Sequence, residues 1–93
     1  MQYEWDPKKA RANARKHRVP FDEALTVFLD PLALTFDDPD HSAEEERFIT
    51  IGISSRGRVL FVAHADRSND RLRIISARRA TPRERHDYEE RRS

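Results

Sequence analysis

Arg78 and Arg79 stand where the strand-like run RIISA gives way to the helix signature TPRE. A helix N-terminus attracts anions because its first N–H groups lack partners, and a guanidinium beside it offers a fork that fits phosphate. The joint therefore reads as a phosphate cradle; the plain alternative is a solvated rim, or a pairing with Glu23 or Asp30. Glu46-Arg47 marks the entry to an earlier strand, where a carboxylate and a guanidinium can act as base and clamp or simply start the strand. Arg58 opens the next strand and is expected to face the Glu46-Arg47 end across a hairpin. His17 closes a basic run that holds Lys9 and Lys16. Imidazoles exchange protons near neutrality, although the stripe of His17 with Ala10 and Ala14 fits a core position equally well. Tyr88 can stack a base, donate a proton, or pack the last helix on the sheet. His64 runs in phase with Leu60 and Val62 and reads as structural, while His41 lies in a polar loop.

What is missing narrows the chemistry. The chain has no Gly-rich phosphate loop, no HExxH, no paired cysteines and no serine elbow. Its histidines, at 17, 41, 64 and 86, lack ligand spacing, so neither a metal nor a cofactor is expected. Arginine, lysine, histidine, glutamate and tyrosine suit metal-free cleavage of RNA. The ribose 2′-hydroxyl attacks the adjacent phosphate, a base takes its proton, cations stabilise the added charge, and an acid protonates the leaving 5′-oxygen. DNA lacks the 2′-hydroxyl and cannot follow this path.

Ninety-three residues suit one domain, 1–93, with a small core, since 37% of the chain is apolar. Without cysteine there is no disulfide framework, and the redox compartment is unconstrained. The N-terminus shows no secretory signal and no apolar run is long enough to span a bilayer, so a cytoplasmic protein without membrane contact is expected. The net charge of +1 hides segregation: residues 22–46 carry nine acids and no base, whereas residues 47–85 carry ten arginines and three acids. Blocks of like charge repel themselves, which points to external partners. Fifteen of the 18 basic residues are arginine, the side chain that binds phosphate bidentately and stacks on bases.

The elements that must position these residues can be read in order. QYEW is a short strand. Asp6 and Pro7 start a helix that runs to about Arg18. After Pro20 a second helix places Phe21, Ala24, Leu25, Phe28 and Leu29 on one face and stops before Pro31. LALTF is a weak strand, followed by the acidic loop DDPDHSAEEE. RFITIGIS, VLFVAHA and RLRIISA form a meander, with Ile49, Ile51 and Ile53 opposing Phe48, Thr50 and Gly52. Arg78 follows Leu72, Ile74 and Ser76 along one face of the last strand. Thr81, Pro82 and Glu84 form a capping box for a closing helix to about Glu90. The class is α+β: an antiparallel sheet, two N-terminal helices and one C-terminal helix, with the helices on one side.

Taken together, WDPKKARANARKH, FDEALTVFLD, EERFITIGISSRGRVLFVAHA and RIISARRATPRERHDY resemble the BrnT toxin family of type II toxin–antitoxin systems, from Trp5 to Tyr88. Arg18 stands where that family usually has Gly. The resemblance implies a RelE-like fold and an endoribonuclease that inhibits translation. It also implies neutralisation by a BrnA-type antitoxin, and a complex that represses its own operon through operator DNA contacts supplied by the antitoxin. The polar positions that match are Lys9, Asn13, Lys16, His17, Glu46, Arg47, Arg58, Arg73, Ser76, Arg78, Glu84, Arg85 and Tyr88. Expected catalytic residues are His17, Glu46, Arg47, Arg58, Arg78 and Tyr88, with Lys9, Lys16, Arg73 and Arg79 binding RNA. A non-catalytic nucleic-acid-binding or protein-interaction module is the alternative.

Overall fold

A computed structural model describes residues 2–39, 46–67 and 70–92. The elements are β1 (Gln2–Glu4), α1 (Pro7–His17), α2 (Phe21–Leu25) with a 3-10 turn (Thr26–Leu29), β2 (Leu34–Asp37), β3 (Arg47–Ile53), β4 (Val59–Arg67), β5 (Arg71–Arg79) and α3 (Pro82–Arg92). They form one sheet in the order β1-β5-β4-β3-β2. Strands β2 to β5 pair antiparallel as expected, but β1 lies parallel to β5, with Tyr3 opposite Leu72, so the sheet is mixed. The chain crosses the sheet through α1 and α2 between β1 and β2. No hairpin therefore dictates the direction of β1. His41 lies outside the described residues.

The helices do not share one side, contrary to the sequence expectation. Leu60 and Val62 of β4 pack with Val19, Phe21, Ala24 and Val27, whereas Ala63 and its neighbour Phe61 belong to a second cluster with Ile49, Ile51 and Tyr88. Alternation along a strand sends successive side chains to opposite faces, so both faces of this sheet are apolar and each needs cover. α1 and α2 cover one; α3 crosses the other. A β-bulge sharpens the difference. Ala63 pairs with Ser76 but His64 pairs with Ile74, leaving Ile75 as an extra residue. Leu72 and Ile74 point to the N-terminal helices. Ser76 and Arg78 are switched to the α3 face instead of continuing that stripe.

Local signals explain most boundaries. Asp6 accepts the Lys8 N–H at 2.8 Å, with Pro7 at the first helical position. α3 opens with the reciprocal box: Glu84 accepts the Thr81 N–H at 2.8 Å, and the Glu84 N–H reaches the Thr81 hydroxyl at 3.2 Å. The second helix tightens to 3-10 after Leu25, turning 120° per residue in place of 100°. That rotation buries Val27 and leaves Leu29 81% exposed, against the reading that put Leu29 on the core face. α1 ends on Arg18 at φ 58°, the left-handed conformation that glycine adopts without penalty.

The buried centre of α1 is Asn13. Its Nδ2 donates to the carbonyl oxygens of Ala77 (2.8 Å) and Val19 (3.0 Å), and its Oδ1 accepts the Ala77 N–H (3.1 Å). β1 covers β5 only from Arg71 to Arg73, so the rest of that edge needs other partners. The Asn13 amide supplies them at Ala77. Asn13→Leu should lower stability by about 2–4 kcal/mol, since several buried backbone groups lose their partners. Arg18→Gly should raise it by about 0.5–1 kcal/mol by removing left-handed strain. Urea unfolding of both variants checks the two signs.

Candidate nucleic-acid interface

On the α3 face the side chains form rows across β3, β4 and β5: Arg47–Ala65–Arg73, then Ile49–Ala63–Ser76, then Ile51–Phe61–Arg78. α3 leaves part of this face open. A groove of about 330 Å³ runs over Phe36, Asp38, Arg47, Phe61, Ala63 and Ser76. A second hollow, of about 240 Å³, lies between α1 and β5 and is lined by Lys9, Asn13, Lys16, His17 and Ser76. The two meet at Ile75 and Ser76, residues that line both. Small side chains at Ala63, Ala65 and Ser76 keep the floor low, and cations stand around it.

Arg78 sits on this face with its guanidinium 3.9 Å from the Phe61 ring centre. Its two terminal nitrogens hold Glu84 at 2.9 and 3.0 Å, and the same Glu84 closes the capping box of α3. Arg78 and the Thr81 backbone together hold the Glu84 carboxyl below its ordinary range. The expected neighbourhood of Arg78 and a helix N-terminus is present, with a carboxylate of the chain itself in the fork. Lys9 and Lys16 are exposed, His17 is half-buried, and neither lysine has an ion pair among the described residues. Arg47 and Arg73 flank Ala65 in register. Glu46 is exposed next to Arg47.

Three expected residues lie elsewhere. Arg58 does not face Arg47: in the hairpin Arg47 pairs with Ala65, while Arg58 closes the turn with Ser54, about 20 Å along the strand. Its guanidinium grips the buried Glu23, donating from Nε at 2.9 Å and more closely from a terminal nitrogen, and also reaches the Arg18 carbonyl at 3.2 Å. Ser54 donates to the same carboxylate at 2.6 Å. The Arg58 hydrogen bond pulls the Glu23 carboxyl down against the opposing effect of burial. Tyr88 is fully buried, and its hydroxyl donates to Asp30, which also accepts the Ile53 N–H at 2.9 Å. It packs α3 on the sheet and is not placed to stack a base. Arg79 lines a hollow of about 450 Å³ at the far end of the sheet, together with Arg58, Arg85 and Glu89. There Arg58 is committed to Glu23, and Arg85 has Glu89 at 3.6 Å.

His64 is structural, as its phase suggested. It is buried between the Phe28 and Phe48 rings, its Nδ1 lies 3.0 Å from the Asp66 carboxylate and its Nε2 2.8 Å from the Thr50 hydroxyl. Burial lowers its pKa, with Asp66 opposing. The neutral imidazole therefore donates to Asp66 and accepts from Thr50. Sequence reasoning did not single out Phe36 and Phe61, which line the groove. For Phe36 the phase of β2 was the available signal, but that strand was weak in the sequence.

A protein-family model described as "Ribonuclease toxin, BrnT, of type II toxin-antitoxin system" matches residues 5–84. The chain belongs to this family. Family membership carries an antitoxin partner and an RNA substrate with it. Among solved structures, the crystal structure of the Brucella abortus ribonuclease toxin BrnT superposes with a TM-score of 0.71 at 27% identity, covering 87% of this chain and 97% of that one. No curated protein sequence matches. No helix among the described residues is long and apolar enough to cross a membrane.

Two consequences can be measured. Arg58→Ala strands a buried carboxylate and should cost about 3 kcal/mol, so any activity it loses should be lost together with its thermal stability. His64 binds its proton less readily folded than unfolded, so stability should rise with pH up to the ordinary histidine range and fall on acidification below it. His64→Gln should flatten that dependence in urea titrations at pH 5 and pH 8.

Proposed function

We propose that this BrnT-family chain, acting in the cytoplasm as one domain, cleaves RNA in the continuous groove between α1, β5 and β3. The observation that carries the reading is the meeting of two hollows at Ser76, with Lys9, Lys16 and His17 on one side and Arg47 on the other. A phosphodiester seated over the small-residue floor would have Arg47, Arg73, Lys9 and Lys16 around it. Arg78 reaches the same face from over Phe61, with its Nε–H and one terminal N–H outside the bonds to Glu84 and Arg79. The exposed ring of Phe36 and the edge of Phe61 offer surfaces on which bases can stack.

In this reading His17 takes the proton from the ribose 2′-hydroxyl, with Glu46 as the other candidate base. The oxygen attacks the adjacent phosphorus, the arginines and lysines stabilise the added negative charge, and Lys16 supplies a proton to the departing 5′-oxygen. The products are a 2′,3′-cyclic phosphate and a 5′-hydroxyl. A BrnA-type antitoxin that neutralises the toxin, and a complex that represses its own operon, complete the proposal.

Purified protein should cut RNA in EDTA and leave cyclic-phosphate ends; loss of cleavage on chelation would remove the metal-free mechanism. Arg47→Ala and Lys16→Ala should each lower kcat/KM by about 10²-fold, and Lys16→Ala should do so at unchanged melting temperature. Arg78→Ala should lose growth inhibition with its circular dichroism preserved. RNA bound but never cut would instead leave a binding module.

A further inference from the structure

β2 is the outer strand of the sheet, and among the described residues no strand lies beyond it. The Asp38 N–H donates to the Arg47 carbonyl at 3.0 Å. Antiparallel pairs alternate between bonded and non-bonded, so Phe36 and Leu34 also bond inward to β3, while Thr35 and Asp37 turn their N–H and C=O groups outward. Such an edge is a template for another strand. Proteins commonly guard it with lysine or proline inside the strand; LTFD has neither.

The side chains around this edge state what would fit. Leu34 and Phe36 share one face, and Phe36 is 45% exposed. Thr35 and Asp37 lie on the other face, and Asp37 is exposed. Asp37 is the exposed charged group of the strand, Asp38 follows it, and no lysine or arginine lies between residues 30 and 39. A second copy of the same edge would bring acid against acid, which disfavours self-pairing.

We propose that the β2 edge docks an extended, cationic segment of a partner protein, which adds a sixth strand to the sheet. Its alternate residues are apolar, continuing the Leu34–Phe36 face. The intervening ones are lysine or arginine and lie beside Asp37. Main-chain bonds to Thr35 and Asp37 hold it, and the alternation sets its register. This surface adjoins the groove at Phe36 but uses none of the residues assigned to the proton transfers of RNA cleavage.

The test uses the full chain and labelled nine-residue peptides: one alternating valine and arginine, one of the same composition with the alternation scrambled, and one alternating valine and glutamate. Fluorescence anisotropy should show the first binding at least roughly tenfold more tightly than the others, and hydrogen exchange should slow at the Thr35 and Asp37 amides. Thr35→Pro removes an outward N–H without touching the β3 ladder, and should abolish binding. Thr35→Val keeps that N–H, loses the hydroxyl, and should bind as the wild type does. Several outcomes overturn the proposal: equal binding by all peptides, undiminished binding by Thr35→Pro, slowed exchange at 73–78 in place of 34–37, or a dimer through β2 seen by sedimentation without peptide. RNA cleavage measured on the same samples reports separately on the ribonuclease reading.

Discussion

The side-chain amide of Asn13 holds the arrangement together. β5 is a central strand over its first three residues, where β1 pairs with it, and has no neighbouring strand on that side after them. An amide presents one acceptor and two donors in a plane, so it can satisfy a backbone N–H and C=O as a neighbouring strand would, with a donor left for Val19. This fixes α1 in height and rotation against β5. Lys9, Lys16 and His17 occur one turn either side of Asn13 and are therefore carried to the rim of the groove beside Ser76. An apolar contact would bury similar area but would not set the register.

The excess of guanidinium is divided between folding and function. Arg58 is used in folding: it ties the β3–β4 turn to the buried Glu23 of α2 and to the end of α1. Arg78 does both, because its fork completes the capping box of α3 while its plane lies on Phe61 in the open face. Arg47 lines the groove, Lys9 and Lys16 line the adjoining hollow, and Arg73 shares a row with Arg47 across Ala65. Charge segregation along the chain thus becomes partly spatial, with Arg47, Arg73 and Arg78 on the α3 face, Lys9 and Lys16 on α1, and Asp37 exposed on β2. The family assignment agrees with this division, since an RNA-cleaving protein needs cation density on the surface that meets the phosphate backbone.

Much of the fold was legible because its signals are local. Asp6-Pro7 and Thr81-Pro82-Glu84 place helix starts through backbone hydrogen bonds that a short stretch of sequence specifies completely. The Ile49, Ile51, Ile53 alternation and the Gly57 turn, at φ 80°, place β3 and β4 in the same way. The failures were in phase and direction. Ile75 adds one residue to β5 and turns Ser76 and Arg78 over, and the 3-10 turn after Leu25 rotates Leu29 out of the core. Each is a small local change with a large effect on which face a side chain meets, and neither leaves a mark in the hydrophobic pattern.

The sequence alone determined the α+β class, the order of the elements, the basic character of the site and the family, because these follow from short-range chemistry and from motifs intact along the chain. Tertiary structure decided the parallel β1, the placing of α3 on the opposite face, and which arginines share a surface. Those outcomes depend on contacts between residues far apart in sequence: Asn13 with Ala77, Glu23 with Arg58, Asp30 with Tyr88. A guanidinium looks the same in sequence whether its partner is a buried carboxylate or solvent. Its place in the folded sheet settles which one it meets.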